Sequence, residues 1–134
     1  MVSPNIVGLE ESLGRYLPED SYFSRANNTV KPKAFMPPSD LKLSVFRIDG
    51  LQLEEIWEIG QKHVIDKMSK PKVLYGLADI KVFRVQEKNL KVDPDNKPIR
   101  HANIVGWPEG SENKARRQSI AQELAAEAEL KLKE

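Results

Sequence analysis

The segment Ile99-Arg100-His101-Ala102-Asn103-Ile104-Val105-Gly106-Trp107-Pro108 decides how the rest of the chain is read. Its first seven residues read as a strand, and Gly106 and Pro108 end it just before the longest helical pattern in the sequence. Strand parity puts Arg100, Ala102 and Ile104 on one face and Ile99, His101, Asn103 and Val105 on the other. His101, one of two histidines in 134 residues, thus shares its face with two apolar neighbours and one polar one.

On the C-terminal side, Gly106 to Ser111 is a hinge, with Ser111 expected to cap a helix from Glu112 to about Lys133. Ile120, Ala121, Leu124, Ala125, Ala128 and Leu132 form its buried stripe. Lys114, Arg116 and Arg117 open this helix, and Glu123, Glu127 and Glu129 come later. That order opposes the helix dipole at a cost of roughly 0.3–1 kcal/mol per misplaced charge. Sequences break such local rules most often at functional sites.

On the N-terminal side, Asp93-Pro94-Asp95-Asn96-Lys97-Pro98 is a turn on composition, preceded by the apolar pair in Leu90-Lys91-Val92. A second strand lies within Val73–Val85, where Ala78, Ile80 and Val82 alternate with Asp79, Lys81 and Phe83. Leu51 to Ser69 predicts an amphipathic helix whose stripe is Leu53, Ile56, Trp57, Gly60, Val64 and Met68, stopped by Lys70-Pro71. His63 adjoins that stripe and reads as an ordinary boundary histidine. Leu41 to Ile48 is a strand with Leu41, Leu43 and Val45 on one face, and its other face turns apolar at Phe46 and Ile48. Arg47 and Arg84 close apolar strands and are expected to reach solvent. Residues 1–40 are broken by Pro4, Pro18, Pro32, Pro37 and Pro38, with a short helix expected at Ile6–Tyr16. Tyr22, Phe23, Phe35 and Met36 would pin this arm onto the domain.

The expected architecture is an α+β two-layer sandwich. A small, mostly antiparallel sheet with a β-α-β-β-α core spans residues 41–134, carries two helices on one face, and receives an irregular N-terminal arm from residues 1–40. Hydrophobic residues make up 40% of the chain, enough for one core, and 31% charged residues imply a solvated surface. Lys and Arg number 21 against 20 Asp and Glu, so the net charge of +1 draws no polyanion from afar, and a binding site for one must come from local segregation. The absence of cysteine excludes disulfides and thiolate chemistry and fits a cytoplasmic protein. No apolar run is long enough for a membrane span, and no signal peptide is visible at the start.

Phosphate-binding glycine loops, HExxH and GxSxG are all missing, so no cofactor is expected. With two histidines and no cysteine, no metal site is expected either. One constellation remains. Arg100, Asn103, Trp107, Lys114, Arg116 and Arg117 are candidates to bind an anion at the start of the last helix, with Trp107 stacking on a base or sugar. His101 is the candidate catalytic residue, a general base oriented by Asp79 or another carboxylate. The bland alternative is a solvated basic turn with His101 bonded to a neighbouring strand.

Two resemblances bear on this. The helix–strand–strand–strand–helix order ending in ENKARRQSIAQELA (112–125) is similar to the double-stranded-RNA-binding domain, in which the last helix grips phosphate. Lys33-Ala34-Phe35, Leu43-Ser44-Val45 and His101–Pro108 together resemble a group of small uncharacterised bacterial proteins with an "AF … LSV … HAxIxGxP" pattern. That group implies no activity, but it marks His101, Gly106 and Pro108 as a defining turn. The leading expectation is a non-catalytic binding or accessory protein that contacts a partner protein or a polyanion, nucleic acid among them, through residues 99–117. The alternatives are an enzyme centred on His101 acting on a nucleotide or nucleic acid, and a protein–protein module using the arm. Nothing in the residues sets the oligomeric state.

Overall fold

The computed structural model describes residues 4–133. The strands are β1 (Ser12–Leu17), β2 (Phe23–Ser24), β3 (Thr29–Val30), β4 (Leu43–Arg47), β5 (Gly76–Lys81), β6 (Lys91–Pro94), β7 (His101–Val105) and β8 (Glu129–Leu132). The helices are α1 (Leu53–His63), α2 (Val82–Gln86) and α3 (Lys114–Glu127). Six strands form one sheet in the order β6-β7-β4-β1-β5-β8, every pair antiparallel, and β2 and β3 make a small hairpin. The class is therefore α+β on an antiparallel sheet, as the hydrophobic pattern implies.

Alternation along the strands sends two apolar sets to opposite sides. Leu13, Leu17, Leu43, Val45, Ala78, Ile80, Ala102 and Ile104 face one core with Ile120, Ala121, Leu124 and Ala125 of α3. Tyr16, Phe46, Ile48 and Leu77 face the other with Ile56 of α1. The two long helices thus lie on opposite faces, not on one. The reason is that β1, β4 and β5 are apolar on both sides, so each side needs its own cover.

The N-terminal forty residues differ most from expectation. Ser12–Leu17 is no helix but a strand between β4 and β5, at the middle of the sheet. The chain therefore has no structural boundary at residue 40. The rest of the arm packs on the α3 side, where Ala34 and Phe35 are fully buried in a short 3₁₀ turn against α3. Burying one phenylalanine is worth about 1.5–3 kcal/mol, which holds the arm in place.

Three other elements end early. Val82–Gln86 turns from strand into α2, with Val82 and Val85 buried. Helix α1 stops at His63, followed by a 3₁₀ turn at Ile65–Lys67. Helix α3 stops at Glu127, and residues 129–132 become an edge strand that buries Leu130 against β5. Ser111 begins a 3₁₀ turn, and Asn113 precedes α3 with no side-chain cap.

Two contacts position the α1 side. Gly60 lets the helix lie on Tyr16, because a Cβ there would come 2.5 Å from the ring. The Tyr16 hydroxyl donates to the Ile56 carbonyl at 2.5 Å, and burial raises its pKa. Arg47, contrary to expectation, is 1% exposed. It donates to both oxygens of Glu11 at 2.6 and 3.1 Å and to the carbonyls of Pro4 and Ile6.

Candidate active site

The register of β4 against β7 pairs Ser44 with Asn103 and Phe46 with His101. All four side chains stand on the α1 side of the sheet, because directly opposed residues share a face. Helix α1 covers the part of that face over β1 and β5. Ser44, His101, Asn103 and Val105 stay half-buried on the remainder. That open half is polar.

His101 bridges two side chains there. Its Nε2 lies 2.7 Å from Ser44 Oγ, and its Nδ1 lies 2.7 Å from Asp95 Oδ1. Asn103 Nδ2 approaches the other Asp95 oxygen at 3.4 Å. The ring packs edge-on against Phe46 at 5.2 Å, and His63 stacks on Phe46 at 6.4 Å, so an apolar ring separates the two histidines.

The turn between β6 and β7 holds Asp95 in place. The amides of Asp95 and Asn96 both donate to the His101 carbonyl, at 3.2 and 3.0 Å, and the His101 amide donates to the Pro98 carbonyl at 2.9 Å. Asn96 and Arg100 take left-handed backbone angles, φ 55 and 76, which lets the chain reverse within six residues. Arg100 Nη1 then ties this turn to β4 through the carbonyls of Arg47 and Asp49.

The electrostatics fix the imidazole's tautomer. Burial works against an ionised Asp95, but hydrogen bonds from His101 and the Lys97 amide, with the His101 charge, outweigh it and hold the carboxyl below its usual range. An ionised carboxylate only accepts, so Nδ1 carries a proton, and whenever the ring is neutral its Nε2 is the nitrogen that accepts from the Ser44 hydroxyl. The ring is thus oriented by a carboxylate on one side and set to take a hydroxyl proton on the other. The His101 side chain is 14% exposed and that of Asp95 41%, so the relay opens to solvent at its acidic end.

The anion constellation expected around Trp107 does not assemble. Helix α3 packs on the opposite side of the sheet from His101. Trp107 is 3% exposed, lies in the α3-side core, and donates to the Ile104 carbonyl at 3.0 Å, so its ring is not free to stack on a base. Arg117 donates to the carbonyls of Pro108 and Gly110, and Arg100 is used in the turn. Lys114 and Arg116 remain exposed. Only Asn103 of that set stands beside His101.

Asp79 is not the orienting carboxylate. It lies on β5 and takes the Lys131 ammonium at 2.8 Å. Asp95 holds that place, and Ser44 is the member that sequence reasoning missed. The available signals were the parity that sets Ser44 on the Phe46 face and the acidic turn just before the histidine strand. Among the described residues no group of three or more His, Asp or Glu side chains gathers in a metal-binding arrangement, and no helix is long and apolar enough to cross a membrane. No family model matches the chain, and no curated protein or solved structure does.

Proposed function

We propose that the protein is a hydrolase in which Ser44 is the nucleophile, His101 its general base and Asp95 the residue that orients the imidazole. The observation that carries this reading is the pair of 2.7 Å contacts on opposite nitrogens of one ring. Nucleophile, base and orienting acid in hydrogen-bond reach define this chemistry by geometry, whatever their order in the chain. As Ser44 Oγ bonds to an electrophilic carbonyl carbon, its proton passes to His101 Nε2 and then to the departing alcohol. Water, activated by the same imidazole, releases the acyl group and restores the serine. Asn103, directly across from Ser44 on the same face, is the side-chain amide this reading assigns to the developing oxyanion. The substrate this chemistry takes is a carboxylic ester.

A fluorophosphonate probe tests this directly, since it loses fluoride only to an activated serine. The expected result is an adduct on Ser44, absent in Ser44→Ala and slowed about 10²–10⁴-fold in His101→Ala. An unmodified Ser44 after prolonged exposure, or equal labelling in wild type and His101→Ala, ends the proposal.

A second reading keeps the accessory role in polyanion binding. It rests on Lys114 and Arg116, which stay exposed at the start of α3. Titration with short RNA and DNA at two salt concentrations tests it, and binding should weaken steeply as salt rises. Absent or salt-insensitive binding removes it.

A further inference from the structure

The sheet has two edges, and they differ. β6 ends in Pro94 and exposes Lys91 and Asp93, which are features that keep another strand away. β8 contains no proline and borders a shallow apolar groove lined by Leu53, Trp57, Lys131 and Leu132. Leu53 is 57% exposed there, at the first position of α1.

The backbone of β8 is set for a partner. The Lys133 amide donates inward to the Tyr75 carbonyl at 2.8 Å. Strand alternation then turns the amides and carbonyls of Leu130 and Leu132 outward, where among the described residues no strand pairs with them, β3 packing near β8 from the α3 side. Glu129 and Lys131 share the α1 side, since they oppose Asp79 and Leu77 of β5. Leu130 faces the α3-side core.

We propose that β8 pairs with β8 of a second copy of this chain, antiparallel about Leu130, to make one continuous sheet through the dimer. The argument is charge complementarity. In this register Glu129 lies opposite the second copy's Lys131, and the reverse pair forms by symmetry. Leu130 meets its own copy through reciprocal backbone hydrogen bonds. A register centred on Lys131 would set like charges against each other. Lys131 already holds Asp79 at 2.8 Å and Glu129 of its own chain at only 3.9 Å, so its ammonium stands between Asp79 and the place where the second copy's Glu129 arrives. The exposed Leu53 and the half-buried Trp57 of each copy flank the joint.

Sedimentation velocity on the full chain across the micromolar range tests this. The wild type should show a concentration-dependent dimer. Glu129→Lys and Lys131→Glu should each weaken it about tenfold or more, and the double exchange Glu129→Lys with Lys131→Glu should restore it. Circular dichroism on each variant checks that the fold is kept, and the double exchange supplies a readout even if one single variant unfolds. A wild type that is monomeric throughout overturns the proposal, whether the edge is then empty or taken by another protein's strand. A dimer insensitive to both single changes also overturns it, because the contact then lies elsewhere.

Discussion

Two polar networks hang from the same strand, and they are built to opposite ends. Arg47 and Ser44 lie three positions apart on β4 and so point to opposite faces. Arg47 is sealed in, donating to both oxygens of Glu11 and to two carbonyls. Ser44 is half-buried and joins a chain of side chains that reaches solvent at Asp95. The first network satisfies every charge it buries and pins residues 4–11 against the sheet. The second keeps a proton acceptor beside a hydroxyl. Burial with full satisfaction marks a structural device, and partial exposure with an oriented imidazole marks a chemical one.

Mutations separate the two most sharply through stability. Arg47→Ala should cost about 3–5 kcal/mol in urea unfolding, since it strands Glu11 without its partner. Replacing both residues together, Glu11→Gln with Arg47→Met, should recover much of that loss, because the desolvation cost goes with the charges. A small effect of Arg47→Ala would remove the contrast from its structural side. His101→Ala should change stability by about 1 kcal/mol or less while slowing Ser44 labelling about 10²–10⁴-fold, because the ring makes two side-chain hydrogen bonds that end at the surface and one edge contact. A loss as large as that of Arg47→Ala would make His101 a structural residue.

Acid sensitivity is the finest of the three tests. The folded Asp95 carboxyl lies below the ordinary 3.8, so its ionised form stabilises the fold above that value. The contribution fades as pH falls through the folded-state value. Asp95→Asn should therefore show a shallower decline in unfolding midpoint below about pH 4 than wild type. The difference should be small, because the side chain is 41% exposed and solvent screens it. Identical acid limbs would mean that the His101 contact does not hold Asp95 ionised.

Much of the frame was legible. β4, β7 and the helices α1 and α3 follow from alternation and from three- and four-residue spacing. β1 was not, because a strand buried on both faces loses its alternation. Leu9, Leu13 and Tyr16 imitate a helical stripe as well as Leu13 and Leu17 mark a strand face. β8 was hidden for a different reason. Glu129 to Leu132 are good helix formers that follow a helix with no breaking residue, and only the free edge of β5 draws them into extended form. At the site, the face shared by His101 and Asn103 was readable from parity. Their partners were not, since Ser44 lies 57 residues from His101 and meets it only through the β4–β7 register.

The residue order alone therefore determined the segments, their faces and the position of one histidine on a half-polar strand. It did so because alternation and helical spacing are local consequences of backbone geometry. Which hydroxyl and which carboxylate that histidine touches, and which side of the sheet each helix covers, were decided only when the strands paired. A register is chosen by the burial of both faces at once, and no single segment carries that information.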